Sequence, residues 1–540
     1  MMIHAADTAS DLDWWRTGVI YQVYIRSFAD ANGDGTGDVA GLRAKLPYLA
    51  QLGVDGIWIN PWYPSPLLDG GYDVADYRDI HPDFGTLPDA EAMIAEAHEL
   101  GLKILVDLVP NHCSRDHEWF KAALAAGPGS PERARFHFVD SGEEPPSNWQ
   151  SVFGGAAWSR VDDGEWYLHL FDPSQPDLNW NNPEVRAEFV SILRFWLDRG
   201  ADGFRVDVAH GIAKDTSYTD LEDHTQILSS SKQPNHPHWD RDEVHEVIRE
   251  WRAVVDEYDD RMMVAEAWVA PESLPKYLRP DEYHQSFSFG LLAAGWNAAE
   301  YRQSIREVYD EAHEIGAAST WVLSNHDVMR HPTRFGLPDD VDWRTWPVTG
   351  PAEALDVDLG ARRARAAVFI TLGLPGAAYV YQGEELGLHE VWDLPWEVLD
   401  DPVARRSDGT QKGRDGCRVP IPWTAEGPSY GFGADNSWLP QPPWFADAAA
   451  DQQIDVAGSF HSLYCEALRV RRSHFVNDAL LSWVDLGDEL LAFDRGNGVR
   501  CVVNMGREPV AMPAGEILLA SESGLTDELP ADTAIWLLPA

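Results

Sequence analysis

A parallel (β/α)8 barrel with a small domain inserted after its third strand and a β-sandwich at its C-terminus is the fold this sequence predicts. Three observations predict it. Short apolar runs alternate with amphipathic, helix-spaced stretches from residue 19 onward, the pattern of a parallel barrel. Four of those runs end in acid- or histidine-bearing segments: Val106-Asp107-Leu108-Val109-Pro110-Asn111-His112, Gly203-Phe204-Arg205-Val206-Asp207, Val264-Ala265-Glu266 and Ser324-Asn325-His326-Asp327. Finally, residues 111–176 are rich in Gly, Pro, Ser and Trp and too long for an ordinary strand-to-helix connection.

Residues 19–25 read as strand one and residues 41–53 as the helix behind it, with Leu42, Leu46, Leu49 and Leu52 at helical spacing. The remaining strands are expected at 54–60, 102–109, 203–208, 262–267, 286–291, 320–324 and 377–382. From 476 the pattern changes to short alternating segments at 480–484, 490–493, 499–503 and 534–538, a small β domain. The expected division is a barrel from 1–110 and 177–475, an inserted domain at 111–176 and a C-terminal domain at 476–540. No internal repeat or low-complexity tract is evident.

At 540 residues the chain exceeds a single core, and 44% hydrophobic residues suffice for a globular interior. The formal net charge of −46 argues against nucleic acid or an anionic membrane as partner, because both need Lys and Arg to neutralise phosphate. A neutral sugar is indifferent to that charge. The start, Met1-Met2-Ile3-His4-Ala5-Ala6-Asp7, lacks a basic region followed by an apolar run, so no signal peptide is expected. No apolar stretch approaches the roughly 18 residues of a membrane span. Cys113, Cys417, Cys465 and Cys501 are widely separated, which indicates neither a zinc site nor a disulfide framework. A cytoplasmic address is expected.

Strand ends in a β/α barrel form the catalytic face. Three acids converging there, Asp207, Glu266 and Asp327, supply what glycosidic cleavage needs: a nucleophile, a proton donor and a third charge to orient hydroxyls. Arg205, two residues before Asp207 on the same strand face, is a cation that keeps a nucleophile ionised. Asp107 and Asn111 read as turn formers below His112. Asp30, Asn32, Asp34 and Asp38, with the Thr36 carbonyl, place oxygen at alternate positions, and Gly33 and Gly35 permit the tight turn a hard cation needs. Hydrolysis itself needs no cofactor.

The four segments resemble the signature regions of the α-amylase superfamily, whose barrel enzymes act on α-glucosidic bonds with retention. Gln175-Pro176-Asp177-Leu178-Asn179, residues 18–22 and Tyr379-Val380-Tyr381-Gln382-Gly383-Glu384-Glu385 resemble its oligo-1,6-glucosidase and α-glucosidase branch. That resemblance implies Asp207 as nucleophile, Glu266 as general acid/base and Asp327 as transition-state stabiliser. It implies His112 and His326 as hydroxyl-binding histidines and a structural calcium in the Asp30–Asp38 loop. It also implies a pocket closed by Asp73, with Tyr72 or Tyr77, and by Arg418, although Gly416-Cys417 and Ile421-Pro422-Trp423 depart from the branch's usual late segment. Val208, directly after the nucleophile, resembles relatives that accept α-1,6 bonds, although Ala209-His210-Gly211 fits neither specificity group. The expected activity is exo-acting hydrolysis of short α-glucosides. The rivals are a transglucosylase or sucrose isomerase on the same scaffold, and a non-catalytic transporter heavy chain, which would carry an anchor and lack intact acids.

Overall fold

A computed structural model describes residues 13–222, 236–475 and 480–540. Residues 1–7, where no signal peptide is expected, and the 476 boundary lie outside them. Eight parallel strands form the central sheet: β1 (Val19–Val23), β2 (Gly56–Ile59), β3 (Lys103–Leu108), β4 (Gly203–Val206), β5 (Met262–Ala265), β6 (Gln285–Ser286), β7 (Thr320–Val322) and β8 (Ala377–Tyr381). Their order is β7-β8-β1-β2-β3-β4-β5-β6. The Ser288 amide donates to the Thr320 carbonyl at 3.2 Å, drawing β6 toward β7 and closing the ring. Ile20, Trp58, Leu105, Val264, Phe287, Val322 and Tyr379 fill the interior as one apolar cluster. That packing leaves strand C-termini as the place where polar side chains gather.

Every predicted barrel strand is present, but β6 covers only Gln285–Ser286, and Phe289–Ala293 forms a short helix. The apolar run Phe289-Gly290-Leu291-Leu292 has no periodicity that separates strand from buried helix. Helix α1 (Val39–Leu52) begins two residues before the expected 41 because the Asp38 carboxylate accepts the Gly41 amide at 2.6 Å and caps it.

Between β3 and β4 lies a three-stranded antiparallel sheet, Phe138–Val139, Trp166–Leu168 and Trp158–Arg160 in that spatial order. Its core of Trp149, Phe153, Trp158, Leu170 and Phe171 also takes in Val208 and Trp239, so the insertion packs directly against the residue that follows Asp207. At the C-terminus, strands Leu481–Trp483, Leu490–Arg495, Arg500–Asn504, Thr533–Pro539 and Gly515–Ala520 form a five-stranded antiparallel sheet in that order. Alternation along Leu490–Arg495 sends Leu491 and Phe493 into the main core and Leu490 and Ala492 toward a two-stranded ladder, Val510–Ala511 with Glu528–Leu529. Trp536 Nε1 donates to the Phe369 carbonyl at 3.0 Å, docking this sheet on helix Val357–Gly373.

Candidate active site

The strand ends surround a cavity of about 310 Å3 bounded by Asp207, Glu266, Asp327, His112, Tyr72 and Val208. One guanidinium organises its base. Arg205 Nη1 lies 2.6 Å from Asp207 Oδ1 and 3.0 Å from Asp107 Oδ1, and Nη2 lies 3.0 Å from Glu266 Oε2. Asp107 is held further by Tyr72 Oη at 2.9 Å and Trp58 Nε1 at 3.0 Å, and burial, opposed by Arg205, leaves its carboxyl pushed up to about 6. Burial also pushes Asp207 up; Arg205 pulls it down, and Glu266, Asp107 and Asp327 push it up again, with a net upward direction.

Strain accompanies the chemistry. Val208 sits at φ 43°, a left-handed conformation unfavourable for a β-branched residue. It is held by its amide donating to Glu266 Oε2 at 3.0 Å and by the Ala209 amide donating to the Glu266 carbonyl at 2.9 Å. These bonds tie the β4 and β5 ends together. Glu266 Oε1 accepts a third bond, from Trp268 Nε1 at 2.9 Å.

Asp327 stands opposite. Its Oδ1 accepts from Arg414 Nη1 at 3.0 Å and Arg418 Nη2 at 2.9 Å, and Oδ2 lies 3.2 Å from His326 Nε2. Burial alone would raise the carboxyl; His326, Arg414, Arg418 and Arg205 outweigh it and hold Asp327 well below the ordinary carboxylate range. His326 stacks on Tyr72, with ring centroids 5.2 Å apart and planes 7° from parallel. His112 is kept neutral by burial, lowered to about 4, and its Nε2 lies 3.1 Å from both the Tyr72 carbonyl and Gln175 Nε2. Gln175 also donates to Asp69 Oδ2 at 2.9 Å. Asp177 pairs with buried Lys214 at 2.9 Å, and Lys214 also donates to Asn111 Oδ1. The Gln175–Asn179 motif thus fastens the insertion beneath His112.

Two expected wall residues lie elsewhere. Asp73 does not line the cavity: it is fully buried under the loop, where its carboxylate accepts Ser65 Oγ at 2.7 Å and the Leu68 amide at 3.0 Å, and burial pushes it up to about 7. Asp69 takes the lining position instead. The left-handed turn at Gly70 and Gly71, φ 59° and 106°, separates the two acids, and a Cβ on Gly70 would meet Tyr24 Oη at 2.6 Å. Arg418 is likewise a supporting residue, bonded to the His326 carbonyl at 2.8 Å behind Asp327. The lining arginine is Arg414, which spans Asp69 Oδ1 at 2.7 Å and Asp327 Oδ1 at 3.0 Å and donates to Asp401. Sequence reasoning gave no role to Asp69 or Arg414. It gave no role to Trp268, Trp343 or the insertion's Phe153 and Phe171, which also line the cavity.

In the Asp30–Asp38 loop, Asp30 accepts the Gly33 and Gly35 amides at 2.6 and 2.9 Å, Asp34 the Thr36 amide at 2.8 Å, and Asp38 the Asn32 and Ala31 amides at 3.1 and 3.2 Å. The oxygen donors suit a hard cation in kind. In placement they close Asx turns and cap α1, and among the described residues no group of three or more His, Cys, Asp or Glu is set to hold a metal.

The family described as Alpha amylase, catalytic domain, matches residues 22–479. The chain belongs to the α-amylase family. A domain of unknown function matches residues 466–536 of this family member. It is 37% identical over 529 residues to a probable alpha-glucosidase of Rhizobium meliloti (strain 1021), covering 92% of this chain and 90% of the relative. It is 34% identical over 497 residues to the oligo-1,6-glucosidase of Parageobacillus thermoglucosidasius, covering 85% and 84%. Among solved structures it resembles an alpha-glucosyl transfer enzyme, XgtA, with TM-score 0.85 and 33% identity over 98% of this chain and 100% of that one. It also resembles the trehalulose synthase MutB of Pseudomonas mesoacidophila MX-45, with TM-score 0.84 and 30% identity over 97% and 99%.

Proposed function

We propose that this chain is a glycoside hydrolase, an exo-acting retaining α-glucosidase that removes terminal glucose from short α-1,4 and α-1,6 glucosides. The observation that carries the reading is the shared guanidinium: Arg205 reaches Asp207 at 2.6 Å and Glu266 at 3.0 Å in a cavity walled by Asp69 and Arg414. Glu266 donates its proton to the glycosidic oxygen as the Asp207 carboxylate attacks the anomeric carbon, forming a β-glucosyl ester. Glu266 then takes a proton from the water that opens the ester. Asp327, held ionised, opposes the positive charge that develops on the sugar ring, and neutral His112 hydrogen-bonds its hydroxyls. The Asp69–Arg414 pair closes the non-reducing end, so only chain ends enter.

The alternative is transfer of the glucosyl group to a sugar instead of water; XgtA, an alpha-glucosyl transfer enzyme, and MutB, a trehalulose synthase, share the fold. A structural calcium in the Asp30–Asp38 loop rests on the loop's composition alone and takes no part in these steps. A cytoplasmic site of action is supported by four free cysteines. Among the described residues no helix is long and apolar enough to cross a membrane.

The test is product analysis by NMR on maltose, isomaltose, sucrose and maltodextrins. Glucose appearing first as the α-anomer from chain ends is expected. Initial β-glucose overturns retention, internal cleavage overturns the exo reading, and disaccharide products without free glucose favour transfer.

A further inference from the structure

We infer that Trp268 is a positioning residue for the acid/base Glu266, its indole N–H fixing which lone pair of the carboxyl carries the transferable proton. The inference deepens the glucosidase reading and rests on it. Glu266 has two oxygens in unequal surroundings. Oε2 is taken by Arg205 Nη2 at 3.0 Å and the Val208 amide at 3.0 Å, both donors. A carboxyl oxygen facing two donors has no place for a proton, so the proton belongs on Oε1. There, among the described residues, the hydrogen-bond partner is Trp268 Nε1 at 2.9 Å, which occupies one lone pair and leaves the other for the proton.

The indole is itself held. Its ring stacks on Phe289 with centroids 3.8 Å apart and planes 5° from parallel, and Phe289 packs on barrel-filling Phe287 at 5.9 Å. A flexible donor could follow Glu266 through any rotamer; a clamped one selects a single rotamer. Trp268 also lines the cavity, next to the oxygen that meets the leaving group. Its exposed face is therefore an apolar surface for the aglycone as well as a hydrogen-bond donor.

Around the same carboxyl stand Arg205 and Asp207 from β4, with Asp107 and Tyr72 beneath them against Arg205, and Asp327 beside His326 at the β7 end of the cavity. All of them stay in place when a neutral indole is exchanged for a benzyl ring. An N–H donor favours the ionised carboxylate, so its loss makes Glu266 hold its proton to higher pH. Trp268→Phe should keep the stack on Phe289 and move the alkaline limb of kcat/KM upward by about one pH unit, as loss of one charged hydrogen bond predicts. Its kcat on maltose should fall on the order of 10-fold, with less loss on an aryl glucoside whose leaving group needs little protonation. Trp268→Ala should in addition raise KM for maltose.

A readout free of turnover comes from the 24 tryptophan indole N–H signals in 15N NMR. The signal absent from Trp268→Phe belongs to Trp268. In the wild type it should shift through one pH titration, and in Glu266→Gln that titration should vanish. A Trp268 signal insensitive to pH, or a Trp268→Phe rate profile superposed on the wild type, overturns the inference. A wild type inert on every glucoside overturns the glucosidase reading instead, and the NMR titration still decides the role of Trp268.

Discussion

Replacing Arg414 by Ala strips a half-buried cation from three carboxylates at once, and the consequences differ at each. Asp327 keeps Arg418 Nη2 at 2.9 Å, and Asp401 keeps Arg418 Nη1 at 3.7 Å. Asp69, 5% exposed at its side chain, loses its only ion-pair partner among the described residues and retains Gln175 Nε2 at 2.9 Å. Stripping the partner from a buried ion costs about 3–5 kcal/mol, and we expect the lower end because a neutral donor remains. Burial already raises the Asp69 carboxyl and Arg414 lowers it, so the variant raises it further. A carboxyl raised in the folded state loses stability as pH rises through its folded value, so the penalty in Arg414→Ala should be largest at neutral pH and shrink toward acid. Thermal melts across pH measure it. Asp69→Asn in the Arg414→Ala background removes the stranded charge and should restore most of the loss, a coupling a double-mutant cycle reads directly. On maltose, loss of one charged contact to the terminal sugar, about 1.5–3 kcal/mol, should lower kcat/KM roughly 10- to 100-fold. A pH-independent penalty, or no rescue by Asp69→Asn, would refute the pairing.

Glu266→Gln should cripple maltose hydrolysis while relatively sparing an aryl glucoside; equal loss on both removes Glu266 from the acid/base role. Asp34→Ala should lower the melting temperature and abolish any calcium dependence without changing turnover below the melt, and a wild-type Tm indifferent to chelator ends the metal proposal. Val208→Thr should move the maltose-to-isomaltose ratio toward maltose on the order of 10-fold, since a small apolar contact discriminates by about 1–3 kcal/mol; an unchanged ratio rules Val208 out as the determinant.

The barrel strands and the three acids were legible because each strand is an apolar run with an abrupt polar end. What escaped the sequence was direction. Asp69 and Asp73 are four residues apart on a turn whose two left-handed glycines decide which acid faces the cavity. Arg414 and Arg418 both reach Asp327, and only the path of the loop tells lining from support. Trp268 was invisible because an isolated tryptophan in a composition holding 24 of them reads as core. Strand Gly515–Ala520 was missed because three of its residues are exposed and its register shifts between Ile517 and Leu519, which breaks the two-residue alternation.

The guanidinium of Arg205 joins three separate strands into one ionic unit: Asp107 from β3, Asp207 beyond β4 and Glu266 beyond β5. Arg205 is 2% exposed, so a partly assembled barrel that buries β4 before β3 and β5 have docked strands a cation with no counter-ion. Such a species is disfavoured, and assembly is pushed toward simultaneous docking of the three strands. The charges proposed for bond cleavage therefore also penalise barrels that begin to close around Arg205 without their full set of strands.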